Sequence, residues 1–280
     1  MSDLTNFNSP EMELKKKTYL DNLKISSDEI IRIMNVEQRT EEWLKARKGR
    51  ITASNYGAAA RHNKYSSPRT LMKQMLWSTF KGNAACDYGT KYEPVASDIY
   101  EKFMRKHLDN QGKCDVHFSV SYPGLIICES NPWIACSPDG LPLEGLIRFL
   151  LEIKCPFKGE IYPHIPHYYF DQIQGIMGVL QLPYCDFVVW TPKKTSIRRY
   201  AFDESYWCNC LFPRLRDFYM DELLPRLILK DEGELQHGEL EPDMTIDIDE
   251  EESAPTSKDR VLEDFNFIWS SESSNKRQKK

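Results

Sequence analysis

The sequence predicts an α/β (α+β) fold in which a central mixed β-sheet is flanked by helices. Two observations carry this. Apolar residues recur at helical spacing up to about residue 110 and again from His167, while short apolar or alternating runs bounded by turn residues fill the stretch between. A strand pair joined by Pro192-Lys193-Lys194 then follows the second helical stretch, the order expected of helices packed on a sheet. Hydrophobic residues make up 41% of the 280 positions and charged residues 28%, which supports a sizeable core and excludes a mostly disordered chain.

Residues 1–35 read as an N-terminal arm with short helices at Glu11–Leu23 and Asp28–Met34. Residues 36–228 carry most of the periodic pattern. Thr40 suits the N-cap of a helix through Trp43, Leu44 and Arg47, with Gly49 as its stop. A second helix is expected from Thr52–Ser54. Ser66-Ser67-Pro68 opens a third, with Leu71, Met75 and Leu76 on its apolar stripe. A fourth is expected to start near Glu93-Pro94, since proline is tolerated in a first turn, and to continue through Ile99 and Phe103. Strands are predicted at Asp115–Tyr122, Leu125–Cys128, Trp133–Cys136, Leu146–Cys155, Tyr184–Trp190 and Ile197–Phe202. Helices are predicted at His167–Leu182 and at Asp203–Ile228, the latter interrupted at Pro213 and Pro225.

From about residue 229 the pattern stops, and an acidic then basic disordered tail is expected. Residues 231–252 hold eleven acids and no Lys or Arg, so residues 1–230 carry +4 although the whole chain carries −5. A mildly basic body is compatible with a polyanionic partner. Within the tail, Val261–Trp269 is a candidate docking motif, Lys276–Lys280 a candidate nuclear localisation sequence, and the acidic run a candidate DNA mimic. No stretch approaches the roughly 20 apolar residues of a membrane span, and the first residues lack a secretory pattern, so an intracellular chain, cytoplasmic or nuclear, is expected. The eight cysteines show no C-x-x-C spacing and read as reduced structural thiols.

The chemistry sits in Ser137-Pro138-Asp139-Gly140 and Glu152-Ile153-Lys154. On a strand, residues i and i+2 share a face, so Glu152 and Lys154 stand side by side while Ile153 points to the core. A carboxylate that holds a divalent cation beside an amine that holds or activates water suits metal-assisted hydrolysis. A hard cation needs several oxygens. Asp139 from the tight turn, the backbone carbonyl of Ile153 and Glu93 are the candidates to complete the set, leaving room for waters as Mg²⁺ prefers, with Mn²⁺ as an alternative. A helix starting near Ser54 would turn free N–H groups toward an anion, and Arg47 would add a guanidinium. Arg50, Arg61 and Lys64 lie nearby and singly read as ordinary solvated residues. Cys208 and Cys210 lack the partners of an iron–sulfur cluster, and His164 with His167 reads as a loop rather than a zinc site. Tyr168-Tyr169-Phe170 reads as core rather than as a base-stacking surface.

These segments resemble the phage lambda exonuclease, or YqaJ viral recombinase, family of PD-(D/E)xK nucleases. Arg47 with Ile51-Thr52-Ala53-Ser54, Gly89-Thr90-Lys91-Tyr92-Glu93, Ala135–Gly140, Glu152–Pro156 and Gln172-Ile173-Gln174 match five family elements in order. The resemblance implies a restriction-endonuclease-like core in which Asp139 and Glu152 bind metal and Glu93 contributes to the metal site. It implies that Lys154 orients and helps deprotonate water, that Gln172 positions the nucleophile or lysine, and that Arg47 and Ser54 hold a DNA phosphate. It further implies 5′→3′ digestion of double-stranded DNA ends, a single-strand annealing protein as partner, a homo-oligomer (a trimeric ring in the phage relative), and work in the host cell of a phage or large DNA virus. An endonuclease of the same superfamily and a catalytically silent DNA-end-binding module are the alternatives. The apolar stretch from Leu143 to Leu151 departs from the family pattern and is expected to hold a longer hairpin.

Overall fold

The computed structural model describes residues 7–77, 82–236 and 261–267. Helices α1 (Pro10–Leu23), α2 (Ser27–Met34), α3 (Glu41–Arg47), α4 (Tyr56–Ala59), α5 (Pro68–Trp77) and α6 (Ala84–Asn110) occupy the first part, with the two-residue strand β1 (Ile51–Thr52) between α3 and α4. Strands β2 (Phe118–Ser121), β3 (Ile126–Ile127), β4 (Ile134–Cys136), β5 (Leu141–Glu144), β6 (Ile147–Arg148) and β7 (Leu150–Lys154) follow. The chain then forms α7 (His167–Leu180), β8 (Tyr184–Trp190), β9 (Thr195–Ala201), three helical segments α8 (Glu204–Tyr206), α9 (Phe212–Asp217) and α10 (Leu224–Asp231), and β10 (Val261–Phe267).

The sheet is mixed, as expected. β7 pairs with β8 in parallel and β8 with β9 antiparallel, giving the order β10-β9-β8-β7. Helix α7 makes the crossover between the two parallel strands, the connection such a pair requires. Gly140 exchanges backbone hydrogen bonds with Leu151 and so ties the β2-β5-β6 sheet to β7. β5 and β6 form the longer hairpin expected between Asp139 and Glu152, and its tip leaves Leu146 fully exposed.

Local chemistry explains most boundaries. Thr40 caps α3 through the Trp43 N–H, and Gly49 follows at φ 75°. The expected helix at Thr52–Ser54 is a 3₁₀ turn (Ala53–Asn55) with Ser54 exposed, running into the four-residue α4, which is buried. Its shortness leaves little macrodipole to attract an anion. The fourth helix departs further. Asn83 caps it by accepting from Ala85 N and Cys86 N, so α6 begins at Ala84 and carries Pro94 in its interior. A strong cap and the burial of Ala96, Ile99, Tyr100, Met104 and Leu108 offset one missing backbone bond. After Asp203 the helix continues through both prolines. Wide π-type turns at Trp207–Leu211 and Phe218–Leu223 directly precede α9 and α10 and let each ring fit without breaking the run.

Two terminal regions pack on the body. Met12 of α1 joins the main apolar core, the Arg50 guanidinium grips the Leu23 carbonyl at 2.8 Å, and Ile33 of α2 packs with Trp43 and Leu125. The Val261–Trp269 motif supplies β10, which covers the β9 edge. There Asp264 faces Arg198 at 3.4 Å and Glu263 faces Arg199 at 3.1 Å, while Phe265 packs on Phe103 and His107. Thus the tail is not patternless throughout: a short segment of apolar residues around Glu263 and Asp264 forms a strand beside two arginines. The acidic run beyond Gln236 and the basic Lys276–Lys280 lie outside the described residues.

The buried carboxylate of Asp186 on β8 accepts both Arg199 Nε at 2.7 Å and Arg199 Nη2 at 2.9 Å from β9, and the Tyr100 hydroxyl of α6 at 2.7 Å. This locks α6 to the sheet. Arg199→Ala strands Asp186 with one donor and is expected to lower unfolding free energy by about 3–5 kcal/mol in chemical denaturation.

Candidate active site

Asp139 reaches the site from a tight turn that is held from two sides. The Gln38 side-chain amide donates to the Pro138 carbonyl at 3.2 Å, and the Trp43 indole N–H to the Ser137 hydroxyl at 3.1 Å. The Ile153 N–H then donates to Asp139 Oδ2 at 2.7 Å, fixing the carboxylate against β7. On β7, Glu152 and Lys154 share a face as the strand period requires. Lys154 Nζ lies 2.5 Å from Glu152 Oε1 and 3.2 Å from Gln172 Oε1, and Gln172 Nε2 donates to Glu152 Oε1 at 2.5 Å. Gln172 comes from α7, while Gln174, two residues on, points away and bonds the Ala201 carbonyl and the Asp203 N–H.

One cleft gathers every residue the sequence singled out: Arg47, Ser54, Glu93, Asp139, Glu152, Ile153, Lys154 and Gln172. Glu93 comes from the interior of α6 and accepts Arg39 Nη2 at 2.8 Å. Arg47 is largely enclosed. It lies 4.2 Å over the Trp43 ring, donates to the Thr52 hydroxyl at 2.7 Å and has no carboxylate partner among the described residues. Burial pulls its pKa down to about 10, so it is still a cation at neutral pH. Ser54 is exposed beside it at the mouth. Arg50 is not a solvated residue of this patch. It is buried and ties α3 to α1 through the Ala46 and Leu23 carbonyls.

Electrostatically, two enclosed carboxylates crowd one lysine at the centre of the cleft. Burial, then the nearby Glu152 and Glu93 charges, raise the Asp139 pKa well above the ordinary carboxylate range. Burial also raises that of Glu152, against the pull of Lys154. Burial works against the Lys154 ammonium, but Glu152, Tyr169 and Asp139 outweigh it and its pKa is raised. Lys154 is therefore a firm cation and donor. Glu152 Oε2 is buried with no hydrogen-bond partner. An orphaned carboxylate oxygen beside a second buried carboxylate suits a hard divalent cation. The Cys155 thiol in the same wall is pushed up to about 12, first by burial and then by Glu93 and Asp139, so it offers no thiolate to a softer metal.

Sequence reasoning did not bring Gln38, Arg39, Trp43 or Tyr162 to the site and read Tyr169 as core, and all five line the cleft or its turn. No motif spacing marks them, because they arrive from separate elements. His167 is not a loop residue paired with His164. It opens α7, and its ring stacks on His62 at 3.8 Å, with Asp171 Oδ2 2.9 Å from His62 Nδ1 and the Tyr206 hydroxyl donating to Asp171. His62, His167 and Asp171 bring three ligating atoms close together. The imidazoles lie 12° from parallel, however, so their in-plane lone pairs do not converge on one ion in this arrangement.

A mixed sheet with a parallel pair, a crossover helix and a D…E-x-K set on the strand preceding that helix defines the PD-(D/E)xK nuclease fold. The chain belongs to the YqaJ-like viral recombinase domain family, whose model matches residues 42–182. It resembles an alkaline exonuclease (LHK-Exo) from Laribacter hongkongensis at 26% identity and TM-score 0.51, over 69% of this chain and 98% of that one. Curated relatives include the uncharacterized protein R354 of Acanthamoeba polyphaga mimivirus, 28% identical over 63% of this chain and 33% of that protein. Protein D345L of African swine fever virus (strain Badajoz 1971 Vero-adapted) is 26% identical over 50% of this chain and 45% of its own. The chain thus matches less than half the length of these viral relatives.

A raised carboxylate pKa means that folding favours the protonated acid, so Asp139 costs stability as pH rises above its ordinary value of 3.8 in the metal-free protein. Asp139→Asn keeps an acceptor for the Ile153 N–H and removes the charge. The variant is expected to melt a few degrees higher than wild type without metal near neutral pH, about 2–4 °C per kcal/mol relieved. It is also expected to lose the rise in Tm that Mg²⁺ or Mn²⁺ gives wild type. A lower Tm for the variant, with wild type indifferent to both ions, would contradict this account.

Proposed function

We propose that the chain is a metal-dependent DNA exonuclease that hydrolyses phosphodiesters from linear duplex ends, 5′ to 3′, in viral-type recombination, replication or repair. The observation that carries the proposal is the convergence of Asp139, Glu152 with its orphaned Oε2, Lys154 and Gln172 in one cleft with a half-buried Arg47 that has no carboxylate partner among the described residues. Asp139 and Glu152 would hold Mg²⁺ or Mn²⁺, with Glu93 and the Ile153 carbonyl completing the oxygen set. The bound cation would supply charge stabilisation at the scissile phosphate and a more acidic water.

The protein's own groups do the rest. Gln172 fixes the Lys154 amine against Glu152, so the ammonium enters the cleft in one orientation. There it donates to the attacking water or to a phosphate oxygen. Its raised pKa favours orienting and charge-stabilising work over proton abstraction. Arg47, desolvated and without a carboxylate, gains most from a phosphate, and Ser54 adds a hydroxyl at the mouth. Together they would read a terminal 5′-phosphate.

The same reading places the protein inside the host cell of a large DNA virus, cytoplasmic or nuclear. A single-strand annealing protein and a second and third copy in a ring are its proposed partners. Among the described residues no helix is long and apolar enough to cross a membrane.

Digestion of three substrates in Mg²⁺ tests the reading: a 5′-phosphorylated linear duplex, its 5′-hydroxyl form and a closed circle. Wild type is expected to consume the phosphorylated linear duplex fastest and spare the circle. Lys154→Ala is expected to slow cleavage about 10²–10⁴-fold with the fold intact. Cutting of the circle would make the protein an endonuclease, and binding without turnover in either ion would make it an end-binding module. Separately, Arg47→Ala is expected to reduce the preference for 5′-phosphate over 5′-hydroxyl by about 10- to 100-fold, the worth of one charge-assisted hydrogen bond.

A further inference from the structure

Aromatic side chains line one route out of the cleft. Tyr169 lies under the Lys154 amine, with Nζ 4.6 Å from the ring centroid, and lines the cleft with Tyr162, 5.7 Å away. The Tyr168 ring is 4.3 Å from that of Tyr169, and Tyr65 meets Tyr168 edge-on at 6.0 Å. Tyr65 is 73% exposed, with the Lys64 ammonium 5.2 Å from its ring. An unbroken line of rings therefore runs from the catalytic lysine to solvent and ends beside a cation.

A single exposed tyrosine is ordinary on a protein surface. This one is the outer end of a series, and the series is held in place. A Cβ on Gly57 would sit 2.6 Å from the Tyr168 backbone, so α4 and α7 touch and leave Tyr168 no room to move inward. The Tyr65 N–H donates to the Asn63 side chain at 2.9 Å, fixing the loop that carries the outer ring. Tyr162 and Tyr169 pack one side against the main core, yet neither they nor Tyr168 is fully covered. Phe170, the next residue on α7, turns inward and is 1% exposed, whereas Tyr168 and Tyr169 are only half-buried and Tyr169 opens on the cleft.

We propose that Tyr65, Tyr168 and Tyr169 form a stacking platform for unpaired nucleobases, so that the strand leading to the active site is read as single-stranded DNA. The proposal rests on the nuclease reading above and names the form of substrate that reaches Lys154. Bases in a duplex already stack on their neighbours and present only edges, whereas an unpaired base offers both faces. Every base has a π-face, so such a platform tolerates any sequence, as an enzyme that moves along a strand requires. Lys64 and Lys154 lie at the two ends, where the phosphates of a stacked strand need cations. The inner ring, Tyr169, shares its cleft with Arg47, so base stacking and phosphate capture act on one strand.

Binding without turnover tests this in the full chain carrying Asp139→Asn. The probes are a blunt duplex, a duplex with a short 5′ single-stranded overhang containing 2-aminopurine, and the same overhang built from abasic nucleotides. Anisotropy gives Kd and 2-aminopurine fluorescence reports stacking. The base-bearing overhang is expected to bind tighter than the abasic one and to be quenched. Tyr65→Ala is expected to weaken it about 5- to 100-fold with little change at the abasic overhang, while Tyr65→Phe retains affinity because the ring and not the hydroxyl stacks. Tyr65 is exposed, so both variants are expected to melt like the parent. Equal affinity for base-bearing and abasic overhangs, or equal losses in the Ala and Phe variants, overturns the platform. Base-dependent binding by a wild type that cleaves nothing would instead overturn the nuclease reading and leave the platform standing.

Discussion

The site depends on one constraint: two carboxylates share a largely enclosed site with a single lysine. Glu152 Oε1 is satisfied twice, by Lys154 and by Gln172, while Oε2 has no hydrogen-bond partner among the described residues. That asymmetry assigns the carboxylate two sides, one structural and one open. Isolated buried charges are costly enough that such groups usually neutralise, and the raised pKa values of Asp139 and Glu152 are that tendency. A bound cation would reverse it, so the folded chain holds its acids in a state that only a ligand relieves.

Much of the surrounding fold can be understood as rigid support for this strain. The Asp139 turn is gripped by Gln38 and Trp43 before its side chain is fixed by the Ile153 N–H. Helix α7 sends Gln172 into the site and Gln174 to the opposite side. It is drawn against α4 by two glycines: a Cβ at Gly57 would strike the Tyr168 backbone, and one at Gly175 the Tyr56 ring at 2.4 Å. The partly buried set of His62, His167, Asp171 and Tyr206 anchors the start of the same helix through hydrogen bonds among its members.

Charge is divided along the chain with similar economy. The acids that give the whole sequence its negative balance lie mostly after residue 230, and the part that folds around the cleft is mildly basic. Two acids of β10 face Arg198 and Arg199, so a fraction of that negative charge returns to the sheet edge rather than to the cleft. The mouth keeps Arg47 without a carboxylate partner among the described residues, the arrangement in which a cation attracts phosphate most strongly.

The sequence by itself determined the order of most elements and which motif residues meet in the cleft. Strand period put Glu152 and Lys154 on one face, turn chemistry put Asp139 within reach of them, and helical period sent Gln172 and Gln174 to different sides, because these depend on residues close in sequence. Tertiary structure decided what local spacing does not encode. Asn83 and the burial along α6 carried a helix through Pro94, and π-type turns carried another through Pro213 and Pro225. The expected helix at Ser54 shrank to a turn because its inner side packs against β4 and α7. Arg39, Trp43 and Tyr169 reached the cleft from three separate elements, and β10 found its place on an edge more than sixty residues away. Packing brings together residues that share no periodicity, so only the folded chain shows which tyrosine faces the lysine and that Arg47 meets the cleft without a carboxylate partner among the described residues.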